Sequence, residues 1–150
     1  MENNDRTKWI NTVLHQMSKI EETQATTALE NCGRECLKSS NSLENIKNLR
    51  NEITDKENTD LLFNTYKEKI YKNSPHIYKK GGDIYLEFQK CECGMVTNGG
   101  VTDPFLCNCT VGYTKQIFET LFGRPVKVKL MKSILNGDDI CWQKISLTAV

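Results

Sequence analysis

Four cysteines, arranged as two Cys-x-Cys pairs, are the residues of this sequence most able to do chemistry. The pairs are Cys91 with Cys93 and Cys107 with Cys109, on either side of a stretch that carries glycine and proline. Residues two apart on a strand point to the same face, so an antiparallel hairpin would bring the pairs together. We therefore expect a four-thiol cluster, with residues 94–106 as its loop and Cys107 and Cys109 on the return strand.

Three further cysteines belong to the same candidate site. Cys32 and Cys36 are four apart, so a helix would place both thiols on one face, and a turn ending at Gly33 would also bring them together. Cys141 falls on a predicted strand, on the face of Ile145. We expect Cys32 and Cys36 to meet the other cysteines where helices pack on the sheet, because one domain packs its helices against its sheet. Burial as small apolar residues is the alternative for all three.

The predicted chemistry of these thiols is metal binding. The seven cysteines are an odd number and no signal peptide precedes them, which favours thiols or metal ligands over a disulfide framework. Thiolates are ligands that zinc prefers, so we expect zinc or another thiophilic metal as cofactor. The predicted ligands are Cys32, Cys36, Cys91, Cys93, Cys107, Cys109 and Cys141.

Catalysis by a thiolate is the alternative chemistry. A cysteine nucleophile needs a neighbouring base, and His15 and His76 are the two histidines of the chain. Neither has a spacing partner for a catalytic motif, and no Walker, zinc-protease or serine-hydrolase signature occurs. We therefore favour binding over turnover and assign no catalytic residue.

Aromatic and acidic residues surround the cluster in sequence and could form a pocket for a small, partly apolar molecule. Filling of the core is the alternative for each of them. The predicted ligand-binding residues are Tyr85, Glu87, Phe105, Tyr113 and Trp142.

The elements that would position these residues form an α+β fold. Apolar residues recur with helical period over residues 1–75, whereas Ile84, Leu86 and Phe88 alternate with polar or aromatic neighbours as in a strand with one buried face. Within the helical part, Trp9 and Leu14 belong to the apolar stripe of a first helix, and Asn58 or Thr59 is a possible cap of a later helix. The Gly81-Gly82 pair predicts a hairpin turn before the strand. After the strand come a helix from Thr114, a possible cap, to Gly123 and two more strands, around residues 126–130 and 140–147. We predict a helical N-terminal half packed on an antiparallel sheet with one further helix.

Length and charge limit the organisation and the partners. A chain of 150 residues fits a single domain, 1–150, with a helical part to about residue 75 and the sheet and cysteines beyond residue 76. Twenty basic residues oppose 19 acidic ones with the signs interspersed, which predicts no nucleic-acid partner. No apolar stretch approaches membrane-spanning length, so we expect no membrane partner and a cytoplasmic location, and we leave a homodimer open.

The last third of the chain resembles a known superfamily. The segments CNCTVG and GDDICW, with the intervening helix and strand, are similar to the C-terminal core of the 4-vinyl-reductase domain superfamily, over about residues 91–147. The chain resembles most a small bacterial family of uncharacterised proteins related to it, which share NCGREC, and more distantly the 2-amino-thiazoline-4-carboxylate hydrolase-like proteins.

This resemblance implies a small-molecule-binding α+β module, in some members with zinc held by cysteine. The superfamily's zinc-type cysteines match Cys107 or Cys109 and Cys141, and the turn from Gly137 matches the approach to the final cysteine. The carboxylate that often completes the ligand set is replaced by the Cys91 and Cys93 pair, with Glu92 and Glu87 nearby. A thiol- or metal-dependent hydrolase is the alternative function that the resemblance implies.

Overall fold

The structure is a computed structural model that describes residues 3–147, and it confirms the predicted α+β fold. Four helices come first, a β-hairpin follows, and two more helices and two more strands complete the described chain. The helices are α1 (Asn3–Met17), α2 (Glu22–Lys38), α3 (Asn41–Glu52), α4 (Thr59–Lys69), α5 (Gly94–Thr97) and α6 (Cys107–Phe122). The strands are β1 (Ile77–Lys80), β2 (Asp83–Phe88), β3 (Val126–Lys132) and β4 (Cys141–Leu147).

Polar side chains at the helix starts satisfy backbone N–H groups that have no partner within a helix. The carboxylate of Glu21 accepts hydrogen bonds from the N–H groups of Thr23 and Gln24 at the start of α2. Asn58, one of the two caps that the sequence offered, caps α4 by accepting from the N–H of Leu61 at 3.0 Å. These caps fix where the helices begin, and thereby which residues they turn inward.

The four strands form one antiparallel sheet in the order β1-β2-β4-β3. Gly81 and Gly82, both with positive φ, make the tight turn between β1 and β2, which confirms the hairpin predicted there. β4 lies between β2 and β3, so Gln143 pairs with Leu86 on one side and Leu130 on the other. This register places all three side chains on the same face of the sheet.

The main core lies between that face of the sheet and the helices. α6 contributes Phe118 and Leu121, neither of which is exposed, and these pack with Ile84 and Ile145 from the sheet. α3 and α4 close the same core with Leu49 and other apolar residues. α6 therefore contacts the sheet on one side, and α2 packs against α6 on another side.

A second, smaller cluster joins α1 and α2 to the loop before α6, through Leu14, Leu29, Val101 and Leu106. The predicted apolar stripe of α1 is only partly buried, because Trp9 remains 62% exposed. Within residues 3–147, no helix is long and apolar enough to cross a membrane.

Candidate functional site

Cys107 and Cys109 lie on the first turns of α6, so the prediction that they occupy a return strand is wrong. Asp103 accepts a hydrogen bond from the N–H of Phe105 at 2.9 Å, and Pro104 opens a 3₁₀ turn that leads directly into the helix. Aspartate followed by proline is a helix-start signal, and the start of α6 could have been predicted from it. Thr114, which the pattern suggested as a cap, instead lies buried in mid-helix.

The helical position separates the two sulfurs of the CNC pair. Residues two apart on a helix point about 200° away from each other, whereas on a strand they would share a face. Cys107 accordingly faces Ser133, with 3.1 Å between Sγ and Oγ, while Cys109 faces the cluster that includes Cys93. The two cysteines therefore contribute to different parts of one site.

Cys91 and Cys93 also lie outside the sheet, because β2 ends at Phe88. They belong to the irregular segment between β2 and α5, and Cys93 immediately precedes α5. The extended strand that would have put them on the side of Tyr85 and Glu87 does not continue. Residues 90–94 instead line a cavity together with Leu86 and Gln143, which lie on the face of the sheet that the helices cover.

Two buried glycines bring the N-terminal cysteines to this site. Gly33 of α2 packs against the carbonyl oxygen of Cys109, and Gly112 of α6 packs against that of Glu30, so closely that a Cβ at either glycine would collide with the oxygen. α2 runs through Gly33 rather than ending there, because the glycine serves the helix crossing. Cys32 and Cys36 thus sit on one face of α2 beside the start of α6.

Charged side chains hold the same two helices together. Arg34 donates to Glu119 at 2.9 Å and to Gln116 at 3.1 Å, and both members of the ion pair are about three-quarters buried. Lys115 of α6 donates to Glu30 of α2 at 2.8 Å. These ion pairs therefore stabilise the crossing of α2 and α6 alongside the glycine contacts.

A cavity of about 510 Å³ lies between α6 and the sheet, and cysteines from four separate segments line it. Its volume falls in the range of small-molecule sites. Apolar side chains make up much of the wall, among them Leu86, Phe88, Ile117, Leu130 and Leu135. The cysteines on the wall are Cys36, Cys91, Cys93, Cys107, Cys109 and Cys141.

Cys107 and Cys141 each contact the turn after β3. Cys107 contacts the hydroxyl of Ser133, and Cys141 accepts a hydrogen bond from the N–H of the next residue, Ile134, at 3.5 Å. Asp138 fixes this turn by accepting from the N–H of Ser133 at 2.8 Å. Cys91 lines the same cavity as Cys107 and Cys141.

Burial favours the protonated form of three of the thiols that line the cavity. It raises the pKa of Cys91 and of Cys107, and the neighbouring thiols, Cys141 among them, raise both pKa values further. Burial also raises the pKa of Cys109 to about 11, with further contributions from Cys93, Cys36 and Cys32. Cys32 lies one turn before Cys36 on α2, is exposed and is not among the residues that line the cavity.

Gln143 is a polar group on the cavity wall that the sequence reading missed. Its side chain is only 3% exposed, and its Oε1 has no hydrogen-bond partner among residues 3–147. An unpaired buried amide oxygen is costly in a folded protein, so it marks a position where a ligand donor would be accepted. Alternation with Cys141 and Ile145 was a signal in the sequence that Gln143 faces inward, and strand pairing adds that it lies between Leu86 and Leu130.

Of the predicted ligand-binding residues, Tyr113 lines the cavity and the other four do not. Tyr85 stacks between Tyr78 and Trp142 on the opposite face of the sheet, at centroid distances of 5.4 and 5.7 Å. Glu87 accepts from the hydroxyl of Tyr78 on that same face. Phe105 packs in the smaller apolar cluster. Tyr85 and Glu87 were predicted to share a face of the strand with Cys91 and Cys93. This prediction is wrong because β2 ends at Phe88, before the cysteines.

The two histidines lie apart from the lining of the cavity. Nδ1 of His15 is 3.8 Å from the carboxylate of Asp103, and His76 stacks on Phe88 at the edge of the sheet. Over residues 3–147, no three His, Cys, Asp or Glu side chains converge closely enough to hold a metal ion as they stand. The seven predicted metal ligands therefore remain a prediction, although six of them share one cavity.

Fold and cavity together define a small α+β protein with a cysteine-lined internal site. The chain belongs to a family of unknown function, DUF6144, whose model matches residues 1–150. No curated protein matches the chain. The family match agrees with the predicted membership of an uncharacterised family and gives no support to a relationship with the 4-vinyl-reductase superfamily.

Proposed function

We propose that the protein binds a small, uncharged, partly apolar molecule in the cysteine-lined cavity, as a cytoplasmic binding or sensing module. The observation that carries this proposal is the buried, unpaired Oε1 of Gln143 on the wall of a cavity of about 510 Å³. A ligand N–H or O–H that reached this oxygen would supply its missing hydrogen bond.

The residues around Gln143 support a ligand without charge at this part of the cavity. Gln143 is flanked in the sheet by Leu86 and Leu130, and Ile117 of α6 lines the same cavity. A charged group among these apolar side chains would lose its hydration without gaining a partner. The charged lining residues, Lys90 and Glu92, belong instead to the irregular segment after β2.

A thiophilic metal ion, zinc included, is our second proposal for this cavity, because six cysteine side chains line it. A thiol-dependent hydrolase is our third proposal for the function of this cavity. The raised pKa values of Cys91, Cys107 and Cys109 weigh against it, since a cysteine nucleophile needs a lowered pKa or an adjacent base.

The binding proposal is tested with phenol and toluene, which have similar shapes but differ in one donor. Titrations followed by amide chemical shifts should show both entering the cavity, with phenol bound about threefold to tenfold more tightly, as expected for one hydrogen bond. Gln143→Met, similar in size but without the acceptor, should remove this preference. Gln24→Met, at an exposed position of α2, should retain it.

Two results would overturn the proposal. In the first, neither compound perturbs the amides that line the cavity. In the second, the preference for phenol survives unchanged in Gln143→Met.

A further inference from the structure

The outer face of the sheet, which is the face turned away from the main core, carries a stack of three aromatic rings. Tyr78 pairs with Tyr85 across β1 and β2, and Tyr85 lies diagonal to Trp142 of β4. The ring centroids are 5.4 and 5.7 Å apart, and the planes are inclined by 16° and 27°. All three side chains remain partly exposed. The stack therefore presents aromatic surface to solvent across three neighbouring strands.

Lysine side chains lie beside this stack on the same face. Lys129 of β3 pairs with Lys144 of β4, and Lys144 pairs with Tyr85 of β2, so these three residues form one row across the sheet. Lys127 is two residues from Lys129 on β3 and shares its face. Because neighbouring strands lie about 4.8 Å apart, the backbone of Lys129 is about 10 Å from that of Tyr85. One extended molecule can therefore contact both the rings and the lysines of β3.

Both acidic side chains of the outer face already have partners. Asp83 forms an ion pair with Lys144 at 3.5 Å, and Glu87 accepts a hydrogen bond from the hydroxyl of Tyr78 at 3.2 Å. Positive charge consequently remains on this face although the chain as a whole has a net charge of only +1. The exposed lysines of the face that have no ion-pair partner among residues 3–147 are Lys80, Lys127 and Lys129.

We propose that the outer face binds single-stranded nucleic acid without sequence preference, with bases stacked on the aromatic rings and phosphates paired with the three lysines. Every base has a π-face and every nucleotide carries a negative charge, so this ligand uses both features of the face. An acidic peptide would pair with the lysines but leave the rings without a partner.

The balanced charge of the sequence predicted no nucleic-acid partner, but a count over the whole chain does not show how the lysines are distributed. Only strand pairing brings Lys129 into one row with Tyr85. The proposal is independent of the proposed function, because the cavity is lined by Leu86 and Gln143 on the opposite face of the sheet.

The test is fluorescence anisotropy of a labelled oligo-dT of about eight nucleotides, titrated with the full chain between about 20 and 200 mM salt. The slope of log affinity against log salt should be about −2, since each of three phosphate contacts contributes about −0.7. Lys127→Gln combined with Lys129→Gln should reduce the slope to about −0.7 and weaken binding at 50 mM salt at least about tenfold. Lys8→Gln combined with Lys47→Gln, at exposed positions of α1 and α3, is the matched control and should leave the affinity within about twofold of the wild type.

Two measurements on the wild-type protein test the stacking without relying on variants that must fold. Oligo-dT should shift the indole N–H signal of Trp142 in the NMR spectrum, whereas the signal of Trp9, which is 62% exposed on α1, should stay in place. Inorganic polyphosphate of the same length carries the charge without the bases, and it should bind at least about fivefold more weakly, as expected for the loss of one stacked base.

The proposal is overturned if oligo-dT does not bind at about 20 mM salt, or if the two double variants weaken binding equally. It is also overturned if polyphosphate or oligo-glutamate binds as tightly as oligo-dT, or if the Trp9 signal shifts instead of the Trp142 signal. Phenol binding in the cavity together with absent oligo-dT binding would reject this inference and leave the proposed function intact.

Discussion

Gly33 of α2 lies directly against the carbonyl oxygen of Cys109 at the start of α6, and no residue with a Cβ fits between them. This contact joins the two cysteine-bearing parts of the chain, the NCGREC segment and the CNC segment. The helix crossing therefore positions the site as well as contributing to the core.

We predict that Gly33→Ala destabilises the protein by about 1–3 kcal/mol or more, because its Cβ would force α2 away from α6. Chemical denaturation monitored by circular dichroism measures this change. Gly94→Ala is the matched control, since the closest atom to its added Cβ would be 3.9 Å away. Equal stability of the two variants would contradict the close crossing.

Replacement of Gln143 by methionine should stabilise the ligand-free protein. The substitution removes a buried amide oxygen that has no partner, and such a group costs about 1–3 kcal/mol. Thermal unfolding of Gln143→Met and the wild type without added ligand measures the difference. A lower melting temperature for the variant would mean that the amide contributes to the fold through a contact that its other atoms make.

Cys109 should be the slowest of the helix cysteines to react with iodoacetamide. With its pKa at about 11, only about a thousandth of this thiol is ionised at pH 8, and the thiolate is the reactive form. Cys32 and Cys36 are exposed and should be alkylated first. The alkylation rate of Cys109 should rise roughly tenfold per pH unit between pH 8 and 10, as followed by peptide mass spectrometry. Alkylation of Cys109 as fast as Cys36 at pH 8 would refute the raised pKa.

The ion pair between Arg34 and Glu119 should stabilise the helix crossing by about 1 kcal/mol, because both side chains are largely buried and the hydrogen bonds are charge-assisted. Arg34→Met should lose this amount in chemical denaturation. Lys38→Met is the control, since its partner Glu35 is 3.9 Å away and both side chains are well exposed. A double-mutant cycle with Glu119→Gln separates the pair from the packing of the arginine stem, and a coupling near zero would contradict the prediction.

The sequence predicted the fold well because its strongest signals are local. Alternation identified β2, β3 and β4, the Gly81-Gly82 pair identified the hairpin, and Asn58 identified the start of α4. Each of these signals depends on neighbouring residues and was not overridden by tertiary packing.

The arrangement of the site was less predictable because it depends on contacts between distant segments. The sequence predicted that Cys107 and Cys109 lie on a strand, whereas Asp103 and Pro104 start a helix there. The helix points the two sulfurs in nearly opposite directions. The sequence left open whether a helix ends at Gly33, because the small size of this residue serves a contact with α6 that only the folded chain reveals. Alternation along β4 puts Gln143 on the face of Cys141 and Ile145, but its nearly complete burial depends on pairing with β2 and β3, which its own segment does not show.

The position of β4 has a consequence for how the protein is made. β4 follows the other three strands in the chain yet lies between β2 and β3, so these two strands have no common neighbour until it joins them. During synthesis on the ribosome, Cys91, Cys93, Cys107 and Cys109 emerge before the strand that carries Cys141 and Gln143. The nascent chain consequently exposes at least four thiols to the surrounding solution, and the cavity that shelters them closes only after β4 has emerged.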